Sequence, residues 1–120
     1  MANQGMLIPG KANGALTAKT VVKIGATDYS YAPAGDNGLG VGVAKFDAED
    51  TKNCTIQVSG VARVIAGGSV ARGARVAADA ASKVVTAAAG ENFIGVMLQS
   101  GAADEELDML ICPGMVDSDT

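Results

Sequence analysis

The feature that most constrains this chain is its punctuation. Short runs of β-branched and apolar residues are cut off by turn-forming residues about every ten positions, too often for long helices and at the pace of small all-β domains. The runs are Thr20-Val-Val-Lys-Ile24, Leu39–Phe46, Cys54–Ile65, Asn92–Leu98 and Glu106–Cys112. Between them lie Gly25 to Gly38 (with Asp28, Pro33, Gly35 and Asp36-Asn37-Gly38), Asp47–Asn53, Ala66-Gly-Gly-Ser69 and Gln99–Glu105, all rich in residues that favour turns. Thr20–Ile24 alternates only weakly and Asn92–Leu98 is a continuous apolar run that reads as a buried strand, but elsewhere a period of two is visible. Cys54, Ile56 and Val58 alternate with Thr55, Gln57 and Ser59, and Leu107, Met109 and Ile111 share one face. Gly60 interrupts the longest run, which predicts a bulge or a close backbone approach. The expectation is an all-β barrel or sandwich.

One stretch is ambiguous. Val70, Ala74, Ala77, Ala81, Val84 and Ala88 would line one side of a helix. Arg75–Ala78 and Lys83–Thr86 would equally make two short strands around a turn at Asp79–Ser82. The hairpin is favoured, because Gly73 interrupts the helical pattern and Val84-Val85-Thr86 is β-branched. The organisation expected is an extended N-terminal arm over 1–20, a β domain over 21–113 and an acidic C-terminal tail over 114–120. In the arm, Gly5, Pro9, Gly10 and Gly14 break regular structure. Its apolar group Met6-Leu7-Ile8 reads either as a strand of its own domain or as a segment that docks on a partner by adding to a sheet edge.

Composition narrows function. The 120 residues include no His and no Trp, and only four aromatics: Tyr29, Tyr31, Phe46 and Phe93. Without His, the Ser–His–Asp and Cys–His systems cannot be built within the chain. Nine basic against thirteen acidic residues give a net charge of −4, which disfavours nucleic acid as a partner. No apolar run reaches the roughly 18 residues of a membrane helix, so no membrane partner is expected. The N-terminus has no basic n-region or long apolar stretch, and the chain reads as one made in the cytosol.

Cys54 and Cys112 are far apart, form no metal motif and read as two small buried hydrophobes in a reducing compartment, with a disulfide within or between chains as the alternative. Asn53-Cys54-Thr55 is a formal glycosylation sequon with nothing else to suggest secretion. Gly38-Leu-Gly-Val-Gly42 lacks the spacing of a dinucleotide loop. The acidic groups Asp47, Glu49, Asp50 and Asp104, Glu105, Glu106, Asp108 lack the spacing of a calcium loop. Lys83, beside a predicted turn, is the one candidate for a carrier lysine. No catalytic constellation emerges, and neither an enzymatic activity nor a cofactor is expected. Much of the 48 % hydrophobic content is Ala and Val, so large core anchors are few and burial from neighbouring chains would help.

Leu39-Gly-Val-Gly-Val-Ala44, the polar turn 47–53, Cys54–Gly60 and Arg63 resemble the centre of the lambda-type head-stabilising decoration proteins of tailed phages. Gly60-Val-Ala-Arg-Val64, Ala66-Gly-Gly68, Arg72-Gly73, Arg75–Thr86, Phe93-Ile-Gly-Val96 and Leu107–Ile111 resemble the related phage capsid cement proteins more closely. The resemblance spans roughly 20–112. It implies a small β-tulip type domain and a homotrimer capping three-fold or quasi-three-fold sites on an expanded icosahedral shell. The implied location is the outside of the virion capsid, after synthesis in the host cytoplasm. The implied partners are the major capsid protein and further copies of the chain. An arm that reaches over the capsid protein would place Met6, Leu7, Ile8 and Pro9 at the contact. The alternative is a binding module or shell subunit of a non-viral assembly.

Overall fold

A computed structural model of the chain describes residues 6–115 except 37, 39 and 89–91, with the backbone alone for 113–115. Among the described residues it is all-β, with ten strands in two units. The first five, β1 (Leu7–Ala12), β2 (Val21–Ile24), β3 (Ser30–Pro33), β4 (Gly42–Ala44) and β5 (Asn53–Gln57), close a barrel in the order β1-β3-β2-β4-β5. The last five, β6 (Val61–Ile65), β7 (Arg75–Ala78), β8 (Val84–Thr86), β9 (Asn92–Met97) and β10 (Glu106–Met115), form a sheet in the order β6-β10-β9-β7-β8. Its strands pair antiparallel throughout.

Two hydrophobic clusters result, and single strands feed both. Ala12, Leu16, Val22, Tyr31, Ala44, Cys54 and Ile56 fill the barrel. Val21, Ala34 and Val43 point the other way, into a cluster with Val64, Val76, Val84, Ile94, Met97, Leu107, Met109 and Ile111. Neighbouring residues of β2 and β4 are thus buried on opposite faces, which explains why these strands alternate so weakly in sequence. The barrel and the sheet also share backbone hydrogen bonds. Val21 N donates to Ser82 O at 2.8 Å and Ile65 N to Lys19 O at 3.0 Å.

The expected Gly60 irregularity is the joint between the units. Gly60 has φ +81°, a conformation glycine adopts at no steric cost. The buried Gln57 amide spans the joint, its Nε2 donating to Ser59 O at 3.0 Å and Val61 O at 2.8 Å. The longest run is therefore two strands in two units. Residues 75–86 form the hairpin, in the register Val76↔Thr86, Ala77↔Val85, Ala78↔Val84. Asp79 Oδ1 ties its turn by accepting from Ala81 N and Lys83 N.

Three expectations are corrected. Residues 7–12, expected as part of an extended arm, are a barrel strand that pairs antiparallel with β5 from Leu7↔Gln57 to Lys11↔Asn53 and parallel with β3. Pro9 does not break it, because its nitrogen points to the β3 side before β3 begins. The first donor on that side is Lys11 N, to Tyr29 O at 2.9 Å. The second correction is β3, which lies inside what reads as one loop from Gly25 to Gly38. The third is β10, which runs through Pro113-Gly114 to Met115 with an irregularity between Ile111 and Gly114. Of the expected acidic tail, residues 116–120 lie outside the described residues.

Candidate functional site

Strand β1 presents two faces. Ile8 and Ala12 pack on the barrel cluster, and Gly10 faces the same way, where a Cβ would run into the Tyr31 ring. By period two, Leu7, Pro9 and Lys11 then face outward, and all three are exposed. Met6, 60 % exposed, is held in place by its backbone: its N donates to Ser59 Oγ at 2.8 Å, and its O accepts from Val58 N at 3.0 Å. The residues expected to meet a partner, Met6, Leu7, Ile8 and Pro9, are thus built into the barrel wall. Three are exposed, and Ile8 is largely turned inward.

The turn between β2 and β3 extends this surface. Alternation predicts Tyr29 and Tyr31 on one side of an extended segment, but the structure separates them. Tyr31 is buried in the barrel and Tyr29 is 81 % exposed. The cause is backbone conformation. Tyr29 takes φ +55°, which non-glycine residues other than Asn, Asp and His seldom adopt, and the ring swings out. The turn is tightly braced. Gly25 N donates to Ser30 O at 2.8 Å, Thr27 N to Ser30 Oγ at 3.0 Å, Ser30 Oγ to Thr27 O at 2.7 Å and Ala26 N to Asn13 Oδ1 at 3.1 Å.

Ile24, 61 % exposed, stands at the other end of this turn. Tyr29 borders a shallow concavity with Pro9, Gly10, Lys11 and Asn53, and a second one with Ile24 through Asp28. Tyr29 therefore stands beside Pro9 and Lys11 on one side and beside Ile24 on the other. Tyr29 and Ile24 escaped sequence reasoning as contact residues, and the signal for them was faint: two large apolar residues flanking a short polar turn.

The two halves of the sequence differ in charge, and three acidic residues of the second half, Glu91, Asp117 and Asp119, lie outside the described residues. Residues 1–60 carry five lysines against five carboxylates, and residues 61–120 four basic against eight acidic groups, so the whole net charge of −4 belongs to the second half. Among the described residues, the ion pairs are Lys19–Glu106, Arg63–Glu106, Arg63–Asp108 and Lys83–Asp104. Lys11, Lys23, Lys45 and Lys52 of the barrel are in none of them.

The remaining reactive groups are quiet. Lys83 Nζ donates to Asp104 Oδ1 at 2.8 Å. That bond, with the carboxylate charge behind it, pushes the ammonium pKa up, the wrong direction for a nucleophile. Burial raises the Cys54 thiol, which keeps it protonated and unreactive near neutrality. Among the described residues, no three Cys, Asp or Glu side chains come together to hold a metal ion.

The sequence matches the family model of the phage cement proteins over residues 2–112. The chain belongs to the phage cement protein family. No curated protein matches it. Its fold is also that of the N-terminal base of the head fibre gp8.5 of bacteriophage phi29, at 14 % identity, 89 % coverage of this chain, 93 % of that one and a TM-score of 0.75. This cement protein is accordingly a capsid-associated structural component of a phage virion. That decides between the phage capsid expected from the resemblance and the non-viral assembly.

Proposed function

We propose that this cement protein binds the outer surface of an expanded phage capsid as a trimer at three-fold or quasi-three-fold sites, bridging major capsid protein subunits. In this reading the barrel face around β1 lies on the shell and the sheet unit faces solvent. The observation that carries it is the division of the surface. Of the seven large hydrophobic side chains exposed among the described residues, five (Met6, Leu7, Ile24, Tyr29 and Phe46) belong to the barrel half, where the charges cancel. An apolar, charge-balanced face suits a protein partner, and the negative charge that residues 61–120 carry in sequence suits an outer surface kept soluble.

Cementing needs no chemistry. A protein that binds expanded shells better than unexpanded ones stabilises the expanded state by its differential affinity. A copy present at 100 times its Kd contributes about 2.7 kcal/mol, and many copies add. The test is co-sedimentation with expanded and unexpanded DNA-free shells of the same capsid protein, with analytical ultracentrifugation of the free protein. Saturable binding that prefers expanded shells, in multiples of three copies, is expected. Equal binding to both shell forms, or none, would remove the reading.

A further inference from the structure

The turn between β2 and β3 is more elaborate than a connection requires. It spans five residues, Gly25 to Tyr29; Ile24 just before it and Tyr29 at its end are large apolar side chains that are 61 % and 81 % exposed. A connecting turn gains nothing from a tyrosine held at φ +55°. Asn or Gly would take that conformation with less strain and leave a polar surface. Of the five non-glycine residues at positive φ among the described residues (Lys19, Tyr29, Thr51, Ser82 and Asp104), Tyr29 alone carries a large exposed apolar side chain, and it is this combination that motivates a functional reading. Ala26 N donates to Asn13 Oδ1, Thr27 N to Ser30 Oγ, Ser30 Oγ to Thr27 O and Lys11 N to Tyr29 O, and these bonds fix the backbone of the turn. Ordering Ile24 and Tyr29 on binding would therefore cost little.

We propose that Ile24 and Tyr29 form a preorganised knob that inserts into an apolar depression of the major capsid protein and carries most of the binding energy of the contact. The inference rests on the proposed capsid binding and deepens it. Contact is shifted from the N-terminal residues alone to a turn that no sequence signal marks. Two features select this occupant. Tyr29 shares a shallow concavity with exposed Pro9 of β1, and the chain belongs to the phage cement protein family. A buried aromatic beside an aliphatic anchor is the usual make-up of an interface hot spot. The ring supplies the energy, so its hydroxyl is dispensable.

The chain's two tyrosines allow a test on the unmutated protein. Tetranitromethane should nitrate exposed Tyr29 in the free protein and spare buried Tyr31. On expanded DNA-free shells, nitration of Tyr29 should slow at least tenfold. Tyr29→Asn, suited to the backbone there, should keep the thermal midpoint and weaken shell binding tenfold or more. Ile24→Ser should weaken it similarly, and Tyr29→Phe should stay within about twofold of the original. Unchanged nitration on the shell, or wild-type binding by both Tyr29→Asn and Ile24→Ser, overturns the knob and leaves capsid binding standing. Failure of the unmutated protein to bind expanded shells removes both.

Discussion

Val21 and Val22 are adjacent, and both are fully buried, yet they serve different clusters. An ordinary half-buried strand would bury one and expose the other. Truncating either to Ala removes two methyl groups, about 1.6 kcal/mol at ~0.8 kcal/mol each. With the cavity left behind, the cost should reach about 2–3 kcal/mol. That is a shift of roughly 8–12 °C in the thermal midpoint of a domain this size. Lys23→Ala, one residue on and exposed, should change stability by less than about 0.5 kcal/mol. Urea titration followed by far-ultraviolet circular dichroism, at one protein concentration, measures all three. Because the valines lie in separate clusters, the double variant should approach the sum of the singles. A valine truncation that costs less than about 0.5 kcal/mol would refute the two-sided burial of β2. A coupling above about 1 kcal/mol would refute the separation of the clusters.

Gly10→Ala should destabilise the barrel by about 1–3 kcal/mol, because the new methyl meets the Tyr31 ring and the core must shift; chemical denaturation reads this. Ellman's reagent should titrate one thiol per native chain, exposed Cys112, and a second, Cys54, only after unfolding. Removing residues 2–12 should abolish the cooperative unfolding transition in calorimetry, since it deletes β1 and opens the barrel; a deletion that melts like the full chain would contradict the closed barrel.

The sequence made the fold class and most of the sheet unit plain, for a physical reason. Strands β6 and β10 each bury one face, so Ala62 and Val64, or Leu107, Met109 and Ile111, alternate cleanly with exposed neighbours. The Asp79–Ser82 hairpin was legible through its turn chemistry. The barrel was harder to read. Strands β2 and β4 are buried on both faces and lose the period of two. β3 is four residues long, ends in Pro33 and pairs in parallel with a strand whose own Pro9-Gly10 reads as a break. Met6, Leu7 and Pro9 were legible as an apolar group beside breakers, but their place in the barrel wall depends on pairing with β5, more than forty residues away. Tyr29 was least legible, because one φ angle decides whether its ring lies inside the barrel or outside.

The orientation of the protein on the shell tests the account most directly. Cryo-electron microscopy of expanded shells saturated with the protein should show the barrel against the capsid. Leu7, Pro9, Ile24 and Tyr29 should be in contact and the sheet unit should face solvent. Density with the sheet unit on the capsid and the β2–β3 turn in solvent would contradict it.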